Sequence, residues 1–135
     1  MSALSVKKAI ETAINGISPA IATVFENTPY TPIVDTPYQQ VWFVGFIPSN
    51  PEYGASHQLK GYCQIDLMYP LLNGSGIALT RAELIKSVFK YKSTFIADGI
   101  SVNICETPEI SSGRSEGDRW KICVKIYYSA WVIVN

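Results

Sequence analysis

The segment from Gln58 to Phe89 constrains the fold most strongly, because it holds a strand pattern, a stop and a helix pattern in one continuous run. Strand side chains point alternately to the two faces of a sheet, so an alternating run assigns each residue to a face. One face of the predicted strand, which we expect to line the core, is formed by Leu59, Gly61, Cys63, Ile65, Leu67 and Tyr69. The opposite face is formed by Lys60, Tyr62, Gln64, Asp66 and Met68.

A stop and a helix follow this strand. Pro70 lacks the amide that a central ladder needs, and the turn formers at positions 73–76 end the strand before a helix that begins at about Ile77. Apolar residues recur three or four positions apart in this helix, which predicts a stripe that packs on the preceding strand. The stripe consists of Ala78, Ala82, Ile85 and Phe89, whereas Thr80, Arg81, Glu83, Lys86 and Ser87 take the other sides.

Further elements are predicted before and after this run. A helical period extends from Ser2 to about Ile17, and Ile21 to Phe25 is a short strand candidate. Asp98-Gly99 favours a type I′ turn, so Thr94 to Glu106 is predicted to form a hairpin. A long alternating strand begins at Arg119. Segments rich in turn formers are predicted as loops, and they are Asn27 to Pro37, Pro48 to His57 and Thr107 to Asp118.

These elements together predict an α+β fold. We expect a single domain over residues 1–135, built as a mostly antiparallel β-sheet with two α-helices packed on one face. The strand from Tyr38 to Ile47 is unusual because both of its faces are apolar, with Val41, Phe43 and Ile47 on one side and Trp42, Val44 and Phe46 on the other. Either the chain itself covers both faces or one of them is partly buried in an oligomer.

Composition limits the possible partners. Only 16% of residues are charged and the formal net charge is zero, so little repulsion opposes self-association. A module that binds nucleic acid through phosphate neutralisation is usually strongly basic, and this chain is not. No apolar run reaches the roughly 18 residues of a membrane span, and the N-terminus lacks a signal peptide's apolar core. We therefore expect no membrane contact and no export.

Residue patterns typical of enzymes are not found. The sequence contains no nucleophile elbow, phosphate loop, dinucleotide fingerprint or metalloprotease motif, and His57 is its single histidine. Three widely spaced cysteines without a Cys-x-x-Cys pair do not make a zinc site. We predict no catalytic residues, metal or cofactor. The closing strand presents a basic row of Arg119, Lys121 and Lys125, which is either a solvated face or a surface for an acidic partner or DNA.

The order and spacing of several short segments resemble a family of small phage tail proteins related to the tail terminators of long-tailed phages. The resemblance spans nearly the full chain. It rests on ENTPYTP and TPYQQVWF within Glu26 to Phe43, on QIDLMYP, on Gly74 and Gly76 before the second helix, on the Asp98-Gly99 hairpin followed by Thr107-Pro108, and on the closing strand.

The resemblance implies a structural virion protein, located at the head-proximal end of the tail and made in the host bacterial cytoplasm. Such proteins form a ring, often a hexamer, that stops tail tube polymerisation and joins the tube to a head-completion or neck protein. Alternatives are another neck or minor tail component, or a small-ligand-binding or enzymatic soluble domain.

A ring needs two different contact patches on each subunit. We expect these patches around the exposed face of Tyr38 to Ile47 and in the loops, with Trp42, Val44, Phe46, Tyr53, Tyr62, Met68 and Arg114 as candidate interface residues. If the lumen passes DNA, Arg119, Lys121 and Lys125 are the candidates to face it.

Overall fold

The computed structural model describes residues 2–18, 20–26, 29–33, 36–49, 56–71 and 76–132. Within these residues, two helices and eight strands follow one another. In order they are α1 (Ser2–Asn15), β1 (Ala22–Val24), β2 (Tyr38–Ser49), β3 (His57–Pro70), α2 (Gly76–Val88), β4 (Thr94–Ala97), β5 (Ile100–Ile104), β6 (Glu109–Ile110), β7 (Arg114–Glu116) and β8 (Arg119–Val132).

One sheet contains all eight strands, in the order β1-β2-β3-β8-β5-β4, with β6 and β7 also paired to β8. Every pairing is antiparallel except that of β1 with β2, which is parallel. The centre of the sheet is the long ladder from His57–Val132 to Pro70–Arg119, in which β3 and β8 pair over their whole lengths. The predicted α+β class, an antiparallel-rich sheet with two helices, is confirmed.

The core lies between the two helices and one face of the sheet, which we call the core face. On β3 this face carries the residues that alternation assigned to it, and Cys63, Ile65 and Leu67 are fully buried there. The predicted stripe of α2 is also buried, as are Val6, Ile10 and Ile14 of α1. Arg81 differs from its predicted position, because it is 5% exposed on the buried side of α2, where burial lowers the pKa of its guanidinium.

A β-bulge interrupts β2 between Val44 and Ile47, with Gly45 at a φ of +77°. The extra residue shifts the alternation, so Phe46 turns to the core face and Ile47 to the opposite face. The predicted assignment of these two side chains was therefore wrong. Gly61 accommodates the bulge, because a Cβ there would lie 2.8 Å from the Val44 carbonyl oxygen and still closer to that of Gly45.

The predicted hairpin is present, with Asp98 and Gly99 at φ values of +51° and +77° as a type I′ turn requires. The segment from Thr107 to Asp118, predicted as a loop, instead contains β6 and β7. Both strands pair with the edge of β8 that β5 leaves open, which satisfies backbone groups there. Most of the loop predicted from Pro48 to His57 lies outside the described residues.

Candidate functional site

Both helices pack on the core face, so the opposite face, which we call the outer face, has no helix over it in the part of the chain that the structure describes. The outer face divides into two halves. The covered half lies around Tyr38, Asp66 and Met68, where the described residues at 29–33 and 36–37 fold over it. The open half consists of Trp42, Val44, Ile47, Tyr62 and Tyr127.

A second, small apolar cluster closes the covered half. Tyr30 packs on Tyr38 with ring centroids 5.3 Å apart, and Met68 beneath them is 6% exposed. Arg119 holds this segment in place, since its guanidinium donates hydrogen bonds to the carbonyl oxygens of Thr36 and Ile33, the latter at 2.8 Å. The guanidinium also lies 5.2 Å from the centroid of the Tyr38 ring.

A buried carboxylate marks the boundary between the two halves. Asp66 is 4% exposed, and it accepts hydrogen bonds from Trp42 Nε1 at 2.9 Å and from Gln64 Nε2 at 2.8 Å. Lys121 Nζ lies 3.8 Å from the same carboxylate and 3.3 Å from Glu116. Cys123 is next to this group, and burial together with Asp66 raises the pKa of its thiol. The Trp42 indole is therefore held in a fixed orientation at the edge of the open half.

Large apolar side chains are exposed on the open half. Trp42 is 41% exposed, Val44 is 43% exposed and Ile47 is 64% exposed, and all three lie on one strand. Tyr62 and Tyr127 continue this surface on the two central strands as a cross-strand pair with ring centroids 5.4 Å apart. Aromatic side chains on a rigid ladder are the groups that contribute most to protein interfaces.

Polar groups surround this aromatic pair. The Lys125 ammonium lies 5.4 Å from the centroid of the Tyr62 ring, and the Tyr127 hydroxyl donates a hydrogen bond to Glu109 at 3.2 Å. Burial and the Glu109 carboxylate raise the pKa of Tyr127. The open half thus combines an aromatic centre with a polar margin, as specific interfaces do.

The structure separates the residues that the sequence proposed as one interface. Trp42, Val44 and Tyr62 lie together, and Val44 is the direct cross-strand partner of Tyr62. Phe46 packs on the core side, stacked on Phe43 at 6.0 Å, and Met68 is buried beneath Tyr30. These two residues are therefore withdrawn from the candidate interface.

Two further interface candidates stand apart from this group. Arg114 is exposed in β7, opposite Lys121, so it adjoins the covered half. Tyr53 lies outside the described residues.

Each of the three residues of the predicted basic row contacts another group of the same chain. Arg119 is 5% exposed and bound to backbone carbonyls, and Lys121 is engaged by Asp66 and Glu116. Lys125 lies beside the Tyr62 ring. These partners come from distant parts of the chain, which alternation along one strand cannot reveal.

Two members of the open half were not predicted. Ile47 reaches this face only because of the bulge, for which Gly45 within an apolar strand was the available sequence signal. Tyr127 was assigned to the correct face but was not proposed as an interface residue. Its pairing with Tyr62 follows from the register of β3 with β8, which the sequence does not give.

The site has the character of a contact surface. Among the described residues, no three His, Cys, Asp or Glu side chains are grouped so that they could hold a metal ion. No helix in the described ranges is long and apolar enough to cross a membrane. Asp66 already accepts two hydrogen bonds and forms an ion pair, so it is committed to holding Trp42 and Lys121.

Known proteins share the fold of this chain and, separately, its sequence pattern. A solved structure superposes with a TM-score of 0.75 over 99% of this chain and 96% of its own, at 17% sequence identity, which shows a shared fold. No curated protein matches the chain. The model of a family described as phage tail terminator protein matches residues 5–128, which include most of α1, all of α2 and nearly all of the sheet. The chain therefore belongs to the phage tail terminator family, whose members are structural proteins of the phage tail.

Proposed function

We propose that this protein is the subunit of a ring that closes the head-proximal end of the tail tube. In this role the ring stops tube polymerisation and then joins the tube to a head-completion or neck protein. Membership of the tail terminator family over residues 5–128 is the observation that carries the proposal. The ring itself, its hexameric size and the two partner proteins are inferences from that membership.

The open half supports the proposal because it provides a partner surface on a rigid element. Trp42 is held by Asp66, and Tyr62 lies on the central ladder, so neither side chain has to be ordered at the moment of binding. Binding costs less free energy when contact residues are already fixed. We infer that another copy or another tail protein covers Trp42, Val44 and Tyr62 in the virion. Arg114 remains a candidate contact in a separate place, and so does Tyr53.

DNA passage through a ring does not require the proposed basic row. Arg119 and Lys121 are engaged by Ile33, Thr36, Asp66 and Glu116. With a formal net charge of zero, the subunit offers DNA little attraction. We therefore propose that any contact with DNA is non-specific and that the partners which determine assembly are proteins.

The test replaces Tyr62 and Tyr127 together by lysine. Two charges at the centre of a buried contact would have to be desolvated, so we expect ring formation, or capping of tubes assembled from the tail tube protein, to weaken at least tenfold. Light scattering reports the oligomer and electron microscopy reports tube length. The matched control is Thr12→Lys with Ser87→Lys, which adds the same charge at exposed positions of the two helices.

Three outcomes separate the possible functions. Loss of assembly in the double variant, with the control unchanged, supports the proposal. Unchanged assembly in both moves the contact away from the open half. A deletion phage whose tails keep normal length but fail to join heads would show instead that this protein is another neck or tail component.

A further inference from the structure

Both edges of the sheet have unpaired lengths of strand. On the edge of β2 that points away from β3, β1 pairs only with Tyr38–Gln40. No other described residue forms a strand beside positions 41–49. At the far end of the sheet, β4 pairs with β5 on one side, and the described chain supplies no strand on the other. Each edge therefore has backbone groups that can accept a further strand.

The hairpin fixes which groups of β4 point outward. Ala97 and Ile100 flank the two-residue turn, so they form a hydrogen-bonded pair, and such pairs alternate along an antiparallel ladder. The bond from Ile104 N to Ser93 O, at 3.0 Å, agrees with this alternation. The N–H and C=O groups of Thr94 and Ile96 consequently face away from β5. Four backbone groups are available at this edge.

Both edges have stretches without charged side chains or proline, although β4 is short and β2 has a bulge between Val44 and Ile47 and a proline at position 48. Exposed edge strands are normally protected by charged side chains, proline or a covering element. Positions 41–47 and 94–97 contain no charged residue and no proline. The most exposed large apolar residues of the described chain lie at these two edges, Ile96 at 69% and Ile47 at 64%.

A cavity lies where an added strand would meet β2. It has a volume of about 390 Å³ and begins at the end of β1. Its walls are formed by Val24, Phe25, Glu26, Pro29, Gln40, Val41 and Trp42. The edge therefore has backbone groups to bind and an adjacent space that can receive side chains of the incoming strand.

We propose that the β4 edge of one copy pairs with the β2 edge of the next copy, so that the sheet continues from subunit to subunit. The sheet order makes β2 and β4 run in the same direction, because three antiparallel strands, β3, β8 and β5, separate them. When two neighbouring copies have their core faces on the same side, β4 of one copy and β2 of the next are therefore parallel. The contact joins two different edges of the subunit, so it can repeat from copy to copy, as a ring requires. The inference that the repeated contact closes into a ring rests on the proposed function.

The test blocks each edge separately. Ile96→Pro removes an outward N–H of β4 and keeps the pairing with β5, and Val44→Lys with Ile47→Lys places charges along the β2 edge. We expect each variant alone to lose self-association by roughly tenfold or more. A 1:1 mixture retains one intact β4 edge and one intact β2 edge, and these belong to different chains. It should therefore form a dimer of twice the 14.9 kDa chain mass and nothing larger, as measured by light scattering.

Control variants and a check of folding accompany the edge variants. Ile96→Thr keeps the backbone donor of β4, and Thr12→Lys with Ser87→Lys adds the charge of the β2 variant at exposed positions of the two helices, so both should assemble like wild type. Circular dichroism and thermal unfolding show whether each variant folds, and Ile96→Lys replaces Ile96→Pro if the proline variant does not.

Assembly of both edge variants as in wild type would overturn the edge pairing and leave the ring intact. A dimer formed by the β4 variant alone would indicate symmetric β2 pairing and overturn it as well. A wild-type chain that stays monomeric with and without tube protein would overturn the proposed ring together with this pairing.

Discussion

The two faces of the sheet belong to the same strands, but their side chains are buried to different extents and by different means. On the core face of β3, Cys63, Ile65 and Leu67 are fully buried under the helices. On the outer face of the same strand, Tyr62 is half-buried beside Tyr127, and Asp66 is buried through hydrogen bonds instead of apolar packing. The core face is therefore complete within one chain, whereas the open half of the outer face still exposes large apolar side chains.

This difference indicates that the core face serves mainly folding and the open half mainly association. Apolar burial on the core face supplies most of the folding free energy, since it grows with the area removed from water. The outer face contributes less to folding, and its polar network instead fixes the orientation of Trp42. A substitution on the core face should therefore change folding, and one on the open half should mainly change association.

The largest effect is expected from Ile65→Ala, on the core face. Ile65 is 0% exposed, and removing its side chain leaves a cavity between the sheet and the helices, so the free energy of unfolding should fall by about 4 kcal/mol. Tyr62→Ala, on the outer face of the same strand, should cost only about 1 kcal/mol, because it loses one aromatic pair. Chemical denaturation measures both values. Equal losses would mean that the chain already packs the outer face as a second core.

The sequence was sufficient to predict this contrast along β3 and β8, because both strands alternate without interruption. It was insufficient for β2, where Gly45 allows a bulge that exchanges the faces of Phe46 and Ile47. It was also insufficient for the covered half. Met68 and Arg119 are buried by a segment some 30 residues or more away, and such contacts depend on tertiary packing that alternation does not encode.

The candidate site was predicted in part for the same reason. Trp42, Val44 and Tyr62 were identified because an apolar strand face and an aromatic on its neighbour are visible as local patterns. The pairing of Val44 with Tyr62 and of Tyr62 with Tyr127 depends on strand register. Register is set by turn geometry and by the buried pattern of several strands at once. Three members of the open half could therefore be predicted from local patterns, whereas Ile47 and Tyr127 could not.

A smaller effect is expected from Asp66→Ala, at the boundary of the two halves. The change removes the buried carboxylate that accepts hydrogen bonds from the Trp42 N–H and the Gln64 amide and that pairs with Lys121, so the free energy of unfolding should fall by about 2 kcal/mol. Glu116→Gln is the matched control, because it removes the other, half-exposed partner of Lys121 and should cost at most about 0.5 kcal/mol. A loss at Asp66 no larger than the control would show that the carboxylate does not hold the outer face together.

The smallest effect is expected at Asp98, which joins the helix layer of the core face to the β4–β5 hairpin. Its carboxylate accepts a hydrogen bond from Ser5 at 2.9 Å and pairs with Lys8 at 3.2 Å, and these two contacts hold its pKa below the usual 3.8. A carboxyl whose pKa is lowered on folding stabilises the protein above its unfolded pKa, and this contribution is lost as pH falls through the folded pKa. Asp98→Asn keeps a turn residue suited to positive φ and removes the charge. The difference in unfolding free energy between wild type and Asp98→Asn should therefore be constant near neutral pH and should shift in favour of the variant below about pH 4, as followed by denaturation at a series of pH values. A difference that is independent of pH would show that the carboxylate charge does not link helix and hairpin.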